Sequence, residues 1–257
     1  MDQKLCFETA MLAGEIALCS GSEIFRVEDT MSRILSLTGT DQVDVYATTT
    51  GIIATLKCTD GTPLTGVKRI AARSNNLNRI YLVNEVSRAV CAGKISMEEA
   101  YDRLCGIREQ KEYKAAILNV CLVLAVMGFT TIFGGNRYDF IFAGVTGLIL
   151  VGMDLLLSKV IYSDFMKDLV KTMCIAFTAG VIGNFVPMVH SEVVIISTIM
   201  PLVPGIPITN AIRDTLQGDY MSGLARVAES LVMAVGIAIG AGVGLGLFTL
   251  IENSILV

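Results

Sequence analysis

The chain has no tryptophan, one histidine (His190) and only five prolines among 257 residues. A lone histidine, placed in an expected outer loop, leaves no Ser-His or Cys-His dyad for a hydrolase. G-x-S-x-G, H-E-x-x-H and the Walker-type phosphate loop are also missing, which argues against ATP as an energy source and for an ion gradient. The seven cysteines (6, 19, 58, 91, 105, 121 and 174) include no C-x-x-C pair. They suit a reducing compartment and core filling better than a disulfide framework or a metal site, and no cofactor is expected. A net charge of −4 offers no basic stripe for nucleic acid. No signal peptide is visible, because Glu15 interrupts the apolar run around Ala10–Leu18.

What is present is unevenly spread. Residues 1–114 hold 14 of the 20 Lys/Arg and 15 of the 24 Asp/Glu. The remainder is sparsely charged, so the chain divides into a domain at 1–113 and a membrane part at 114–257. In the first, 5–19 and 24–38 read as amphipathic helices, with Ile24, Val27, Met31 and Ile34 at three-four spacing. Gln42–Ala47 and Gly51–Cys58 are β-type runs, and Asp60-Gly61 is a hairpin signal. A helix over Leu77–Ala92 and another opened by the Ser96–Glu99 capping box complete an α+β domain.

Five hydrophobic segments follow, at 115–133, 138–157, 169–189, 193–208 and 227–251, each near the ~20 residues a span requires. Lys159, Lys167 and Lys171 mark one loop as inner, and Arg213 and Arg226 mark another. This places the N-terminal domain in the cytosol and the C-terminus outside. The expected fold is thus membrane α-helical, five transmembrane helices with one broken by prolines, behind an N-terminal cytosolic α+β domain. An odd number of spans is the unit that gives inverted repeats when two are combined. One half of a two-subunit transporter is a natural reading.

Three of the five prolines fall within seven residues, Pro201-Leu-Val-Pro204-Gly205-Ile-Pro207. Each removes a backbone donor, so the carbonyls of Ser197, Met200 and Val203 lose their intrahelical partners. Broken backbone at membrane depth survives where protein or a water-filled cavity satisfies it, and it marks solute sites in transporters. Thr209 is positioned to cap a new helix on which Asn210 and Asp214 share a face. Asn210 can donate to and accept from an amino-acid-like solute, and Asp214 can hold an ammonium or a proton. The plainer alternative for Asp214 is an ion pair with Arg213 or Arg226. Gly218-Asp219 then breaks the helix before Ser222–Arg226 leads into the last span.

The stretch Pro201–Arg226, PLVPGIPITNAIRDTLQGDYMSGLAR, resembles the signature of the threonine/serine exporter (ThrE) family. The helix start at Gly21–Ile34, the Thr48–Gly51 strand entry and the five-span layout fit it as well. The resemblance implies a cytosolic domain followed by about five spans, with a second set either fused behind or supplied by a smaller subunit. A chain with one set is similar to the large subunit of the split form. Split pairs are associated with small carboxylates such as succinate, the fused form with threonine and serine. It implies an efflux subunit of the bacterial plasma (inner) membrane, proton-coupled, with a small multi-span partner and a possible higher oligomer in the lipid bilayer.

On this reading Pro204, Gly205 and Pro207 shape the break, while Asn210 and Asp214 touch solute or proton. Arg226 holds an anion or pairs with Glu229, its neighbour on one helix face. Asp154, near the inner end of the second span, and Asn184, inside the third, are further polar candidates for the pathway, with water access and interhelical hydrogen bonding as the plainer accounts. His190 is an exposed loop residue or a pH-sensitive gate. Glycines 236, 240 and 244, with 242 and 246, form a small-residue ridge for helix packing within the chain or against a partner. The rival function is a membrane-anchored regulatory or hydrolytic module whose active part is the N-terminal domain.

Overall fold

The computed structural model describes residues 2–40, 42–110 and 113–255. Contacts group them into two compact units: residues 1–111 with 205–228, and residues 112–204 with 229–257. Residues 205–228, which the sequence reading keeps with the membrane part, therefore pack with the N-terminal unit.

The N-terminal unit is built around α1 (Gln3–Cys19), capped by Asp2, whose carboxylate accepts from the Lys4 and Leu5 amides at 2.9 and 3.3 Å. Helix α2 (Ile24–Ser36) buries Ile24, Val27, Met31, Ile34 and Leu35 and leaves Arg26 and Arg33 outside, as three-four spacing requires. Strands β1 (Val43–Thr48), β2 (Gly51–Lys57) and β3 (Pro63–Arg69) form an antiparallel meander in that order. The pairing of Thr48 with Gly51 leaves a two-residue turn between β1 and β2. The β2–β3 turn closes where Asp60 accepts from the Thr62 amide at 2.9 Å, and Gly61 takes the positive φ there. Period-2 alternation sends Ile52, Ala54 and Leu56 of β2 into the core. Helices α3 (Leu77–Cys91) and α4 (Met97–Glu109) start at the caps Asn76 and Ser96. All seven cysteines are free, and burial pushes the Cys6 thiol up to about 11, a core filler rather than a nucleophile.

The second unit holds α5 (Ala115–Ile132), α6 (Arg137–Leu157), α7 (Asp164–Phe185), α8 (Ser191–Ile199) and the later part of α10 (Tyr220–Ile255). Asn136 and Asp139 make a reciprocal capping box at the start of α6. Along α10, a Cβ at Gly240 would meet Thr172 Oγ1 and the Leu169 carbonyl, and one at Gly244 the Met173 carbonyl. Gly242 has nothing within 4 Å, nor has Gly246. The glycine ridge thus resolves into a side that admits α7 and an open side.

Among the described residues three helices are long and apolar enough to cross a membrane, Ala115–Ile132, Arg137–Leu157 and Tyr220–Ser254. A fourth is reached if the bent pair Ser191–Leu202 and Gly205–Leu216 is counted as one span. This is a membrane helical protein, with a span count by length and composition below the five expected. The expected third span corresponds to α7, which begins five residues earlier and brings Asp164, Lys167, Asp168 and Lys171 into its first two turns. Helix α10, with 36 residues, is about 54 Å long at 1.5 Å per residue, well beyond a ~30 Å hydrocarbon core.

Candidate functional site

The proline segment is a stop followed by a restart. Helix α8 ends at Ile199, a 3-10 turn covers Met200–Leu202, and α9 runs Gly205–Leu216. The turn repairs part of the lost bonding, since the Val203 amide donates to the Met200 carbonyl at 3.2 Å. Pro204 directly precedes α9 and Pro207 lies in its first turn, where a missing N–H is tolerated because no intrahelical acceptor exists for it. The expected cap Thr209 is therefore already inside the helix, its hydroxyl donating to the Gly205 carbonyl at 2.9 Å. The restart came earlier because Gly205 and Pro207 suit a first turn. Beside the break, the Thr146 and Thr198 hydroxyls pair at 2.7 Å, and the buried Ser197 hydroxyl has no hydrogen-bond partner among the described residues.

Helix α9 carries Asn210, Ala211 and Asp214 on its buried face, and Gly218, at φ +96°, turns the chain into α10. That turn sets Arg226 beside Asp214, with Nε 3.1 Å from Oδ2. The side chains are 5% and 0% exposed, so the pair is dry. Both groups, with Asn210, hold the turn between α1 and α2. Asp214 Oδ1 accepts from the Ile24 amide at 3.0 Å, Arg226 Nη2 donates to the Ser22 carbonyl at 2.7 Å, and Asn210 Nδ2 donates to the Gly21 carbonyl at 2.8 Å. Ile24 is the first residue of α2 and its cap residue Glu23 supplies no side-chain acceptor. A carboxylate from a distant helix thus serves the orphan amide at a positive dipole end. Glu23 pairs instead with Arg213.

Three of the expected residues, Asn210, Asp214 and Arg226, are thereby brought together, with their polar atoms facing the chain's own backbone. Asp214 is fully buried, and of its two plainer pairings the one with Arg226 is observed. Glu229 is exposed on α10, and Asn184 is exposed as the penultimate residue of α7 rather than deep in a span.

A second polar cluster lies in the other unit. Lys171 Nζ stands 2.6 Å from Asp154 Oδ1 and 3.4 Å from Asp168 Oδ1, with the lysine side chain 8% exposed. Lys171, expected in a loop, and Asp168, not among the expected residues, both lie in α7. The signal was available, because Asp168 and Lys171 are three apart and α7 begins at Asp164. His190 Nδ1 lies 2.9 Å from Asp139 Oδ2, and its amide donates to Asp139 Oδ1 at 2.7 Å. That hydrogen bond to the carboxylate raises the His190 pKa above the ordinary imidazole value. Among the described residues no group of three His, Cys, Asp or Glu side chains is placed to hold a metal ion.

No solved structure matches this chain. A curated protein of Mycobacterium tuberculosis, named "Probable threonine/serine exporter", is 22% identical over 230 residues, covering 88% of this chain and 43% of that protein. The chain therefore spans less than half the length of that relative. The family model described as "Putative threonine/serine exporter" matches residues 8–248, a range that takes in the α1–α2 turn, the proline break, both polar clusters and most of α10. The chain belongs to the threonine/serine exporter (ThrE) family.

Proposed function

We propose that the chain is the large subunit of a two-subunit secondary exporter in the bacterial plasma membrane, moving small amino acids or small carboxylates outward in exchange for protons. Family membership supplies the class of activity, and the name of the mycobacterial relative makes threonine and serine the first solutes to test. The observation that carries the reading is the break itself, where an apolar helix stops at three prolines and restarts as a helix whose buried Asn210 and Asp214 meet Arg226 of α10. Backbone of that kind is retained where it lines a pathway.

In this reading the N-terminal unit is cytosolic, the C-terminus is outside, and Pro204, Gly205 and Pro207 form a hinge. The Asn210–Asp214–Arg226 set is the closed state of an inner gate. An amino acid carries the two groups that can replace it, a carboxylate for Arg226 and an ammonium for Asp214. A small carboxylate supplies the first alone. Asp154, Lys171 and Asp168 hold the coupling proton, because two carboxylates sharing one ammonium change charge state with a single proton. Glu229 and Asn184 line the route, and a second multi-span subunit completes it.

The test is transport in proteoliposomes holding the chain and its partner, with labelled threonine, serine and succinate and an imposed pH gradient. Asp214→Asn abolishes export while leaving insertion intact; wild-type export by that variant removes Asp214 from the mechanism. Flux indifferent to the pH gradient removes proton coupling, and movement of none of the three solutes removes the exporter reading.

A further inference from the structure

The N-terminal unit contains a cleft of about 650 Å³ that the transport reading does not use. Its volume lies in the range of small-molecule sites, roughly 300–1,000 Å³. Helices α2, α3 and α9 each turn one polar face toward it. Four arginines line it, Arg26 and Arg33 from α2, Arg88 from α3 and Arg213 from α9, with two acidic residues, Glu23 and Asp29. Arg33 is taken up by Asp29, Nε to Oδ2 at 2.8 Å, and Arg213 by Glu23. Arg26 and Arg88 make no hydrogen bond or ion pair among the described residues, so the lining carries an excess of two positive charges.

Bringing like charges from separate helices to one concavity disfavours the empty state unless something neutralises them. Arginine forks match the paired oxygens of phosphate and carboxylate groups. Phe25 and Leu216, 48% and 78% exposed in the same lining, offer apolar surface for a carbon skeleton.

We propose that this cleft binds a small organic anion bearing at least two negative charges, held by Arg26 and Arg88. Neutral zwitterions such as threonine are excluded by charge, which separates this ligand from an amino-acid solute. The site has a readout on α9, because Arg213 adjoins Asp214 in sequence and a ligand oxyanion competes with Glu23 for it. The anion therefore acts as a cytosolic effector of the helix that carries the proposed gate. Binding stands independently of that gate, since it needs only the geometry of the N-terminal unit.

The experiment is calorimetric titration of the purified full chain in detergent at fixed ionic strength, with pyrophosphate and citrate as probes and threonine as the neutral control. Saturable binding of one probe per chain is expected, with none for threonine. Preference for pyrophosphate identifies a phosphate-bearing ligand, and preference for citrate a polycarboxylate. Arg26→Gln and Arg88→Gln each weaken binding about tenfold or more, the loss of one charge-assisted contact, whereas Arg103→Gln, paired with Glu99 elsewhere, changes nothing. The ligand-free Arg26→Gln/Arg88→Gln variant melts no lower than wild type, because both side chains are exposed and uncompensated. Absence of saturable binding for both probes, unchanged binding in the double variant, or a marked fall in its melting temperature overturns the proposal.

Discussion

Replacing Asp214 by alanine removes two things at once: the acceptor for the Ile24 amide and the counter-charge of Arg226. Arg226 keeps the Ser22 carbonyl but is left at 5% side-chain exposure without that carboxylate. Breaking a buried pair from one side costs about 3–5 kcal/mol, and a newly orphaned buried amide costs about 1–3 kcal/mol. The two overlap, because one carboxylate serves both, so about 4 kcal/mol is the expected loss. At roughly 3 °C per kcal/mol for a unit of this size, the melting transition of the N-terminal unit falls by about 10 °C. Hydrogen exchange at the Ile24 amide accelerates with it, since a helix N-terminus has no intrahelical acceptor to fall back on. A double-mutant cycle with Arg226→Met isolates the pair, with an expected coupling of about 2 kcal/mol or more. Asp214→Asn falls between, since its amide oxygen can still accept from Ile24 while the charge is lost. A melting temperature within about 2 °C of wild type for Asp214→Ala, or additive effects of the two substitutions, would refute the reasoning and leave no structural role for the pair.

Four further outcomes are expected. Lys171→Gln leaves Asp154 and Asp168 facing each other without their shared ammonium; it lowers the yield of folded protein, and adding Asp168→Asn restores yield but not pH-driven flux in proteoliposomes. His190, as the sole histidine, gives one imidazole resonance in protein purified without a histidine tag; it titrates above the ordinary value of about 6.5, and Asp139→Asn returns it there. Because its folded pKa is raised, the His190 contribution to stability is complete below about 6.5 and fades as pH rises through the folded value, which melting curves across that window detect. Gly240→Val cannot be seated against Leu169 and Thr172, whereas Gly242→Ala meets open space, so size-exclusion profiles degrade for the first and not the second. Pro201→Ala/Pro204→Ala restores donors to the Ser197 and Met200 carbonyls and favours a continuous helix by up to about 3 kcal/mol per residue; exchange at the Ile24 amide rises as that helix competes with the turn seating Asp214, and unchanged protection there would mean the prolines do not define the restart.

Elements governed by local pattern were readable in advance. The spacing of Ile24, Val27, Met31 and Ile34 named the buried face of α2, and Ser96 and Asp60-Gly61 named a cap and a turn through side-chain chemistry alone. Misreadings arose where two local rules competed. At Thr209 capping chemistry competes with the tolerance of a first turn for Gly205 and Pro207, and the first turn wins, so the helix starts at Gly205. At Lys171 charge suggests a loop, but the helical register continues back to Asp164 and keeps the residue in α7. No local rule reaches the bond from Asp214 to Ile24, whose partners are 190 residues apart.

That long-range bond changes what the prolines mean. A kink inside one span would leave both sides of the break in the same surroundings. Here the residues before Pro204 group with the apolar helices, and those from Gly205 group with the N-terminal unit. All three prolines stand in or beside a 3-10 turn, a helix entry or a first turn, where a missing amide costs little. The segment is therefore suited to ending one helix and beginning another, not to bending one. Helix α9 is fixed by polar groups rather than by a deep apolar face, since Asn210, Ala211 and Asp214 are its buried residues. Polar fixation of that kind can be exchanged for another polar partner without exposing core, which a packed leucine face could not do. In the function proposed above, the same three side chains, which hold the α1–α2 turn here, exchange that turn for a small charged solute.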